Sequence, residues 1–346
     1  MKNTILFFNR SLIFLVCCIF FTKGKSQDHH FSMIYENNVY LNPANAGLFY
    51  PIGISFSYRQ QWRSLAYGYN TALFSVDGRI YSTTGGSILG GGLIVIKDIS
   101  GETRLNTTNI NMVLMGKVML NENNNISAGI VGGIMERKID NSKLKLTEQH
   151  NDLGIYDANV KPETFETYKR LAPDVGAGVQ WSYGRGATTL SANDPLGIQV
   201  GLTFFHLNKP NTSFKEDFDK RNIRGMGHFN ITYGIRNTPL QICGQGIIQF
   251  QGINKMVYPG LKVRYLLQEQ SRYTGFLFSR SLTIGGFYRL NDAFVISLNL
   301  EWDQFFIGIS YDLTLSGLAK ATKGFGAIEG NIKYIPVRPE ASSKLI

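Results

Sequence analysis

Apolar and polar residues alternate along most of this chain. In residues 52–59 (IGISFSYR), large apolar side chains occupy every second position, and glycine, serine or arginine occupies the positions between them. The same period of two recurs in residues 109–118, 174–183, 282–290 and 294–302. Successive side chains of a β-strand point to opposite faces of a sheet, so the pattern predicts an all-β protein.

The alternating segments are long enough to cross a membrane. Each holds about ten residues, the length of a tilted transmembrane strand, whereas strands of soluble proteins average about five or six. We therefore predict a transmembrane antiparallel β-barrel over residues 52–346, with apolar faces toward lipid and glycine or polar faces toward the lumen. About fourteen strands are expected, within a range of roughly twelve to sixteen. The predicted strands are 52–60, 69–77, 88–97, 106–119, 125–137, 174–183, 196–206, 224–236, 241–251, 255–267, 279–290, 293–302, 304–312 and 326–335.

The connections between the predicted strands alternate in length. If strand one begins in the periplasm, connections after odd-numbered strands face the outside and are the longer ones. The two longest, 138–173 and 207–223, follow strands five and seven, whereas the tight turn 121–124 follows strand four. The connections at 252 and 291–292 also follow odd-numbered strands and yet are short. The alternative is that the chain is wrongly divided into strands at these two points. The longest loop carries charges of both signs, which fits either a solvated surface loop or an external docking surface for a partner.

The first residues predict export from the cytoplasm. Two basic residues, Lys2 and Arg10, precede an apolar run over residues 12–21, and small residues follow at Gly24 and Ser26. This is the layout of a secretory signal peptide, and the apolar run is too short to span a membrane as a helix. We predict a signal peptide over residues 1–26 and a mature protein in the outer membrane of a Gram-negative bacterium.

Composition limits the structure and its partners further. The chain has 37 glycines and only 17% charged residues, which is typical of an outer-membrane barrel. Removal of the signal peptide takes away four basic residues and no acidic one, so the net charge falls from +10 to +6, and no basic run indicates nucleic acid. Only Cys243 remains, which excludes an intramolecular disulfide. The presumed lumen face is rich in small polar residues with few charges, which favours a narrow or protein-filled barrel over an open porin.

Residues 27–51 form a predicted periplasmic entry segment ahead of the barrel. Asn42 and Pro43 favour a turn, because proline fixes its own φ and biases the preceding residue away from helix. Two interpretations remain open: the segment plugs or braces the periplasmic mouth, or it contacts periplasmic machinery or an exported chain. Its apolar patch consists of Phe31, Tyr35, Tyr40 and Leu41.

The histidines do not indicate an enzyme. His206 and His228 lie on neighbouring predicted strands, but no acidic residue stands at an obvious orienting position for His206. His29 and His30 point to opposite sides of an extended segment, whereas zinc needs three or four converging ligands. We predict no catalytic residue, no metal site and no cofactor.

Several short elements share their order and spacing with one known family. They are YLNPANAG at 40–47, YRQQW at 58–62, PDVGAGV at 173–179, GLTFFHLNKPN at 201–211, GGFYR at 285–289 and GISYDL at 308–313. Through these elements the mature chain resembles the PorP/SprF family of type IX secretion system membrane proteins over nearly its whole length.

The resemblance implies a non-enzymatic outer-membrane barrel that works with the type IX secretion machinery. Such a barrel supports export or surface attachment of large adhesins or secreted proteins with a C-terminal sorting domain, including adhesins of gliding motility. Outer-membrane lipid is the other expected partner, and the competing hypothesis is a passive channel for small solutes. The residues expected to bind a partner are Phe31, Tyr40, Leu41, Asn42, Pro43, Trp62, His206, Asn208 and Pro210.

Overall fold

Fourteen antiparallel strands close into a barrel in the computed structural model. The structure describes residues 28–64, 68–101, 104–139, 169–186, 194–214, 220–268 and 280–336. The strands are β1 (Ile52–Gln61), β2 (Tyr69–Ser82), β3 (Ile88–Ser100), β4 (Leu105–Met119), β5 (Asn124–Lys138), β6 (Lys169–Arg185), β7 (Leu196–Phe205), β8 (Arg224–Gly234), β9 (Leu240–Gln251), β10 (Asn254–Gln268), β11 (Arg280–Arg289), β12 (Ala293–Trp302), β13 (Phe305–Thr314) and β14 (Phe325–Tyr334).

Each strand pairs with its neighbours in the chain, and the last pairs with the first. Phe56 of β1, for example, lies opposite Ile332 of β14 and opposite Phe74 of β2. Closure leaves no unpaired edge, so every strand can satisfy its backbone groups within the wall. The predicted all-β barrel of about fourteen strands is therefore confirmed.

The short gaps that broke the loop parity are true turns. Gly252 and Asn291 have positive φ angles of 62° and 58°, which allow the chain to reverse direction within a few residues. The alternative of a wrong division into strands at these two points is thus incorrect. The long loop predicted at 138–173 is shorter than expected, because Lys169–Pro173 belongs to β6.

The two faces of the wall differ as the alternation predicted. Phe56, Tyr58 and Phe74 are exposed on the outside, whereas Ser57 and Leu73 are buried inside. Short helical turns add to the strands: the one-turn helices α1 (Asn38–Leu41), ahead of β1, and α2 (Ala319–Thr322), between β13 and β14, and the 3-10 helices Ile34–Glu36 and Pro43–Asn45. Among the described residues, no helix is long and apolar enough to cross a membrane. The predicted signal peptide and most of the longest loop lie outside the described residues.

Candidate functional site: the segment inside the barrel

Residues 28–50, here called the lumen segment, run through the interior of the barrel. We call the end with the turns after odd-numbered strands the outer mouth, because it carries the longest connections, and the opposite end the inner mouth. The Asp28 amide donates to Oε1 of Gln251 (2.9 Å) at the outer mouth. The Gly47 amide donates to Oδ2 of Asp77 (2.9 Å) near the inner mouth, where β1 begins. Residues 28–50 of the predicted periplasmic entry segment (27–51) therefore run through the lumen between the two mouths.

The lumen segment folds into short turns that suit its sequence. Asn42 is extended, and its Oδ1 accepts a hydrogen bond from the Ala44 amide (2.9 Å), which caps the 3-10 turn Pro43–Asn45. Proline at the first position of this turn has no amide hydrogen to leave unsatisfied. The turn expected at Asn42 and Pro43 is thus present, and both residues are buried.

Ser32 lies at the centre of a buried charge cluster, here called the arginine cluster. Arg59 and Arg289 both donate to its Oγ, at 2.6 and 2.9 Å, and its hydroxyl donates to Asp312 (2.8 Å). Both guanidinium groups also pair with Asp312, at 2.8 and 2.9 Å, and Arg59 pairs with Glu329 at 3.1 Å. Two cations thus balance two carboxylates, as burial of charge requires.

The arginine cluster also holds the backbone of the lumen segment. The two carboxylate oxygens of Glu329 accept the amide hydrogens of Ser32 and Met33, at 2.7 and 2.9 Å. The Tyr258 hydroxyl donates to the carbonyl oxygen of Ser32 (2.9 Å). These contacts join the segment to β10 and β14, so its position depends on charges in the barrel wall.

A second group of charges, here called the mouth cluster, fixes the start of the lumen segment. His206 lies between two carboxylates: its Nδ1 is 2.8 Å from Oδ1 of Asp174, and its Nε2 is 2.7 Å from Oδ2 of Asp28. Arg221 donates through Nε to Oδ1 of Asp28 (2.7 Å). Arg224 lies 3.4 Å from the same carboxylate. Asp28 is therefore held by three basic side chains.

These contacts shift the pKa values of the groups outside the strands. Burial alone would raise the pKa of Asp28, but Arg221, His206 and Arg224 hold it well below its usual range. Burial opposes protonation of His206, yet Asp28 and Asp174 raise its pKa. Burial lowers the pKa of His29 to about 4. Asp28 is therefore ionised at neutral pH, and His29 is neutral there.

Glycines of the strands make room for the lumen segment. A Cβ at Gly129 would lie 2.5 Å from the carbonyl oxygen of Pro43. A Cβ at Gly178 would collide with Oδ1 of Asn42, and one at Gly90 would collide with the Ala46 carbonyl oxygen. These strand glycines thus permit close approach of two backbones. The wall and the segment fit each other at the inner half of the lumen.

The structure divides the predicted partner-binding residues into two groups. Phe31, Tyr40, Leu41, Asn42 and Pro43 are buried in the lumen, where they could meet a partner only if the segment left the barrel.

The other four lie at or near the outer mouth. Trp62 lines two adjoining cavities of about 380 and 360 Å³ there. Asn208 is exposed and donates through Nδ2 to the Pro173 carbonyl oxygen (2.7 Å), while Pro210 is buried and accepts from the Arg221 amide (3.0 Å). His206 is buried in the mouth cluster.

Two expectations about charge were wrong. His206 has two orienting carboxylates, Asp28 and Asp174, which lie 178 and 32 residues away along the chain. The lumen is not poor in charge, because Arg59, Asp312 and Glu329 all point inward. The sequence already contained the evidence for these inward-pointing charges, because Arg59, Asp312 and Glu329 occupy inward positions of the alternating pattern. A charge on an inward face of a narrow barrel needs a partner nearby.

The charged positions fall within the short sequence elements that led to the resemblance. Arg59 lies in YRQQW, Arg289 in GGFYR and Asp312 in GISYDL, and all three meet at Ser32. The family model described as "Type IX secretion system membrane protein PorP/SprF" matches residues 23–329. The chain belongs to this family. The expected outer-membrane location of a PorP/SprF barrel is thereby confirmed.

Several solved structures are similar to this PorP/SprF protein at low sequence identity. A KdgM porin shares 6% identity over 82% of this chain and 98% of its own, with a TM-score of 0.36. BamA from Haemophilus ducreyi shares 11% over 82% of this chain and 70% of its own (TM-score 0.37). A FadL homologue from Pseudomonas aeruginosa shares 9% over 82% and 89% (TM-score 0.35). No curated protein matches the sequence.

Proposed function

We propose that this barrel is a non-enzymatic component of the type IX secretion system that supports export or surface attachment of a partner protein. The partner is an adhesin or secreted protein with a C-terminal sorting domain, and adhesins of gliding motility belong to this class. The secretion machinery itself is the second partner. Family membership supports this proposal, and the lumen segment is the structural observation that carries it.

A filled lumen favours a scaffold over a conduit. The lumen segment occupies the interior from Asp28 to Tyr50 and is tied to the wall by the arginine and mouth clusters. Moving it out would leave four buried charges of the arginine cluster without Ser32 and its backbone amides. Such a rearrangement is costly. We therefore propose that the partner docks at the outer mouth and does not pass through the lumen.

The outer mouth offers a surface suited to docking. Its two adjoining cavities share Asp28, His30, Gln61 and Trp62 as lining residues. Aromatic residues are enriched at the centre of protein–protein interfaces, and the rim around that centre is polar. Trp62 and Asn208 are thus the predicted partner-binding residues best placed for direct contact.

Deletion of the gene, followed by comparison of the surface and secreted proteomes with those of the parent strain, tests the proposal. We expect loss of one or a few large proteins with C-terminal sorting domains, while other secretion continues. Complementation with Trp62→Ala should restore barrel abundance and fail to restore the lost proteins. An unchanged surface proteome with altered solute uptake would favour the channel.

Conductance of the purified barrel in planar bilayers tests the filled lumen separately. We expect no stable single-channel conductance from the full chain. Steady open channels would exclude the hypothesis that the barrel is a scaffold with a closed lumen, whatever the comparison of the proteomes shows.

A further inference from the structure

A pocket opens on the lipid-facing side of the barrel, close to the outer mouth. Its cavity measures about 330 Å³, and it lies on the outside of β1, β2 and β3. We call it the outer-wall pocket. Its main lining residues are Tyr58, Asn70, Ala72, Lys97, Ile99 and Arg104.

The pocket lies at the upper edge of the apolar band. Strand register places Tyr58 beside Ala72 and Ala72 beside Lys97. Two residues further toward the inner mouth, the same face carries Phe56, Phe74 and Val95 side by side. Lys97 is therefore the first charged residue above an apolar wall, at the depth where lipid headgroups meet protein.

The polar groups of the pocket are arranged as hydrogen-bond donors. Lys97 is exposed, and its ammonium group has no hydrogen bond or ion pair within the described ranges. Oδ1 of Asn70 accepts from the Tyr58 hydroxyl (3.0 Å) and from Nε2 of Gln60 (3.1 Å). These two bonds orient the amide and leave its Nδ2 donors for a ligand. Arg104 adds a guanidinium group at the rim.

Two glycine turns frame this donor set. Gly68 and Gly101 both have positive φ, and the Gly101 amide donates to the Gly68 carbonyl oxygen (3.1 Å). The hydrogen bond joins the connection after β1 to the connection after β3. A ligand between Lys97 and Arg104 would thus meet a pre-formed concave surface.

We propose that the outer-wall pocket binds the phosphate-bearing headgroup of an anionic lipid of the outer leaflet. Lys97 and Arg104 pair with the phosphate, and the amide of Asn70 donates to one of its oxygens. The acyl chains lie along Phe56, Phe74 and Val95. Lipid is the occupant because the pocket opens toward the membrane and continues into the apolar wall. The inference rests on the outer-membrane location and is independent of the proposed role in secretion.

Native mass spectrometry of the purified full-length barrel in detergent tests the site. The probes are bis-phosphorylated lipid A, the same lipid after removal of its phosphates, and inorganic phosphate alone. We expect the wild type to retain the phosphorylated lipid and the double variant Lys97→Gln/Arg104→Gln to bind it about 30-fold more weakly. This factor corresponds to roughly fivefold for each basic side chain near an anionic lipid surface.

Lys255→Gln is the matched control, because Lys255 is also exposed near the outer mouth but lies on β10, across the barrel. It should bind the lipid like the wild type, and heat-dependent gel mobility checks that every variant is folded. Equal binding by the double variant would overturn the proposal. Equal binding of the dephosphorylated lipid would exclude phosphate recognition, and tight binding of inorganic phosphate would indicate a free-anion site instead of a lipid site.

Discussion

Nη1 of Arg59 lies 2.6 Å from Oγ of Ser32. This contact joins the first strand of the barrel to a residue that enters the lumen 27 positions earlier in the chain. Because Arg59 also pairs with Asp312 and Glu329, one guanidinium group connects β1, β13, β14 and the lumen segment. The arginine cluster therefore couples closure of the barrel to the position of the segment inside it.

Substitution of Arg59 by Ala should destabilise the barrel strongly. The substitution leaves the buried carboxylates of Asp312 and Glu329 with too little positive charge beside them. Removing one partner of a buried ion pair costs about 3–5 kcal/mol of stability. The free energy of unfolding, measured by denaturant titration in detergent or lipid, checks this. Lys169→Ala is the control, because its pair with Glu136 is largely exposed and should matter little. Equal losses in the two variants would contradict a special role of the arginine cluster.

Substitution of Gly129 by Ala tests the fit of the lumen segment. The added methyl group would meet the Pro43 backbone, so the variant should lose roughly 1–3 kcal/mol of stability or displace the segment. Protease susceptibility of residues 28–50 and the unfolding midpoint report the two effects. Gly132→Ala, in the same strand, places its methyl group where no atom lies within 4 Å, and it should behave like the wild type.

The mouth cluster should hold the lumen segment best in an intermediate pH range. The raised pKa of His206 gives a stabilisation that is complete below its usual pKa of 6.5 and is lost as pH rises through the raised value. The lowered pKa of Asp28 gives a stabilisation that is present above its usual 3.8 and is lost as pH falls through the lowered value.

Hydrogen exchange of the lumen-segment amides across pH checks this behaviour, after correction for the intrinsic pH dependence of exchange. Protection should decline toward alkaline pH in the wild type. His206→Gln keeps a polar side chain but cannot carry the charge, so its protection should lack this alkaline decline. A decline of the same size in His206→Gln would show that another group is responsible.

Loop lengths predict which mouth faces the outside. In a Cys243→Ser background, Leu207→Cys places a thiol in the exposed connection after β7, and Asn123→Cys places one in the exposed turn after β4. A membrane-impermeant maleimide should label Leu207→Cys on intact cells and Asn123→Cys only after lysis. The reverse pattern would invert the barrel and place the start of the lumen segment in the periplasm.

The wall of the barrel follows from local pattern. Alternation over segments such as 52–60 and 293–302 fixed the strand type and the lipid-facing side, since both depend on the side-chain period of an extended backbone. Thirteen neighbouring pairs join strands that are consecutive in the chain, so turn positions were enough to predict them. The order and spacing of the short sequence elements were enough to indicate the family.

The interior depended on contacts between distant parts of the chain. The sequence indicated that residues 27–51 precede the barrel, but not that they enter its lumen. A segment without a regular period does not reveal what it packs against. Asp28, Asp174 and His206 become neighbours only when β6 and β7 stand side by side and the lumen segment passes them. Closure brings Arg59 beside Asp312 and Glu329, and burial then forces these charges to pair, with Ser32 completing the group. Local alternation was thus enough to predict the wall and its lipid-facing side. What fills the lumen follows from the packing of the whole chain, because charge pairing inside a closed barrel depends on distance in space and not along the chain.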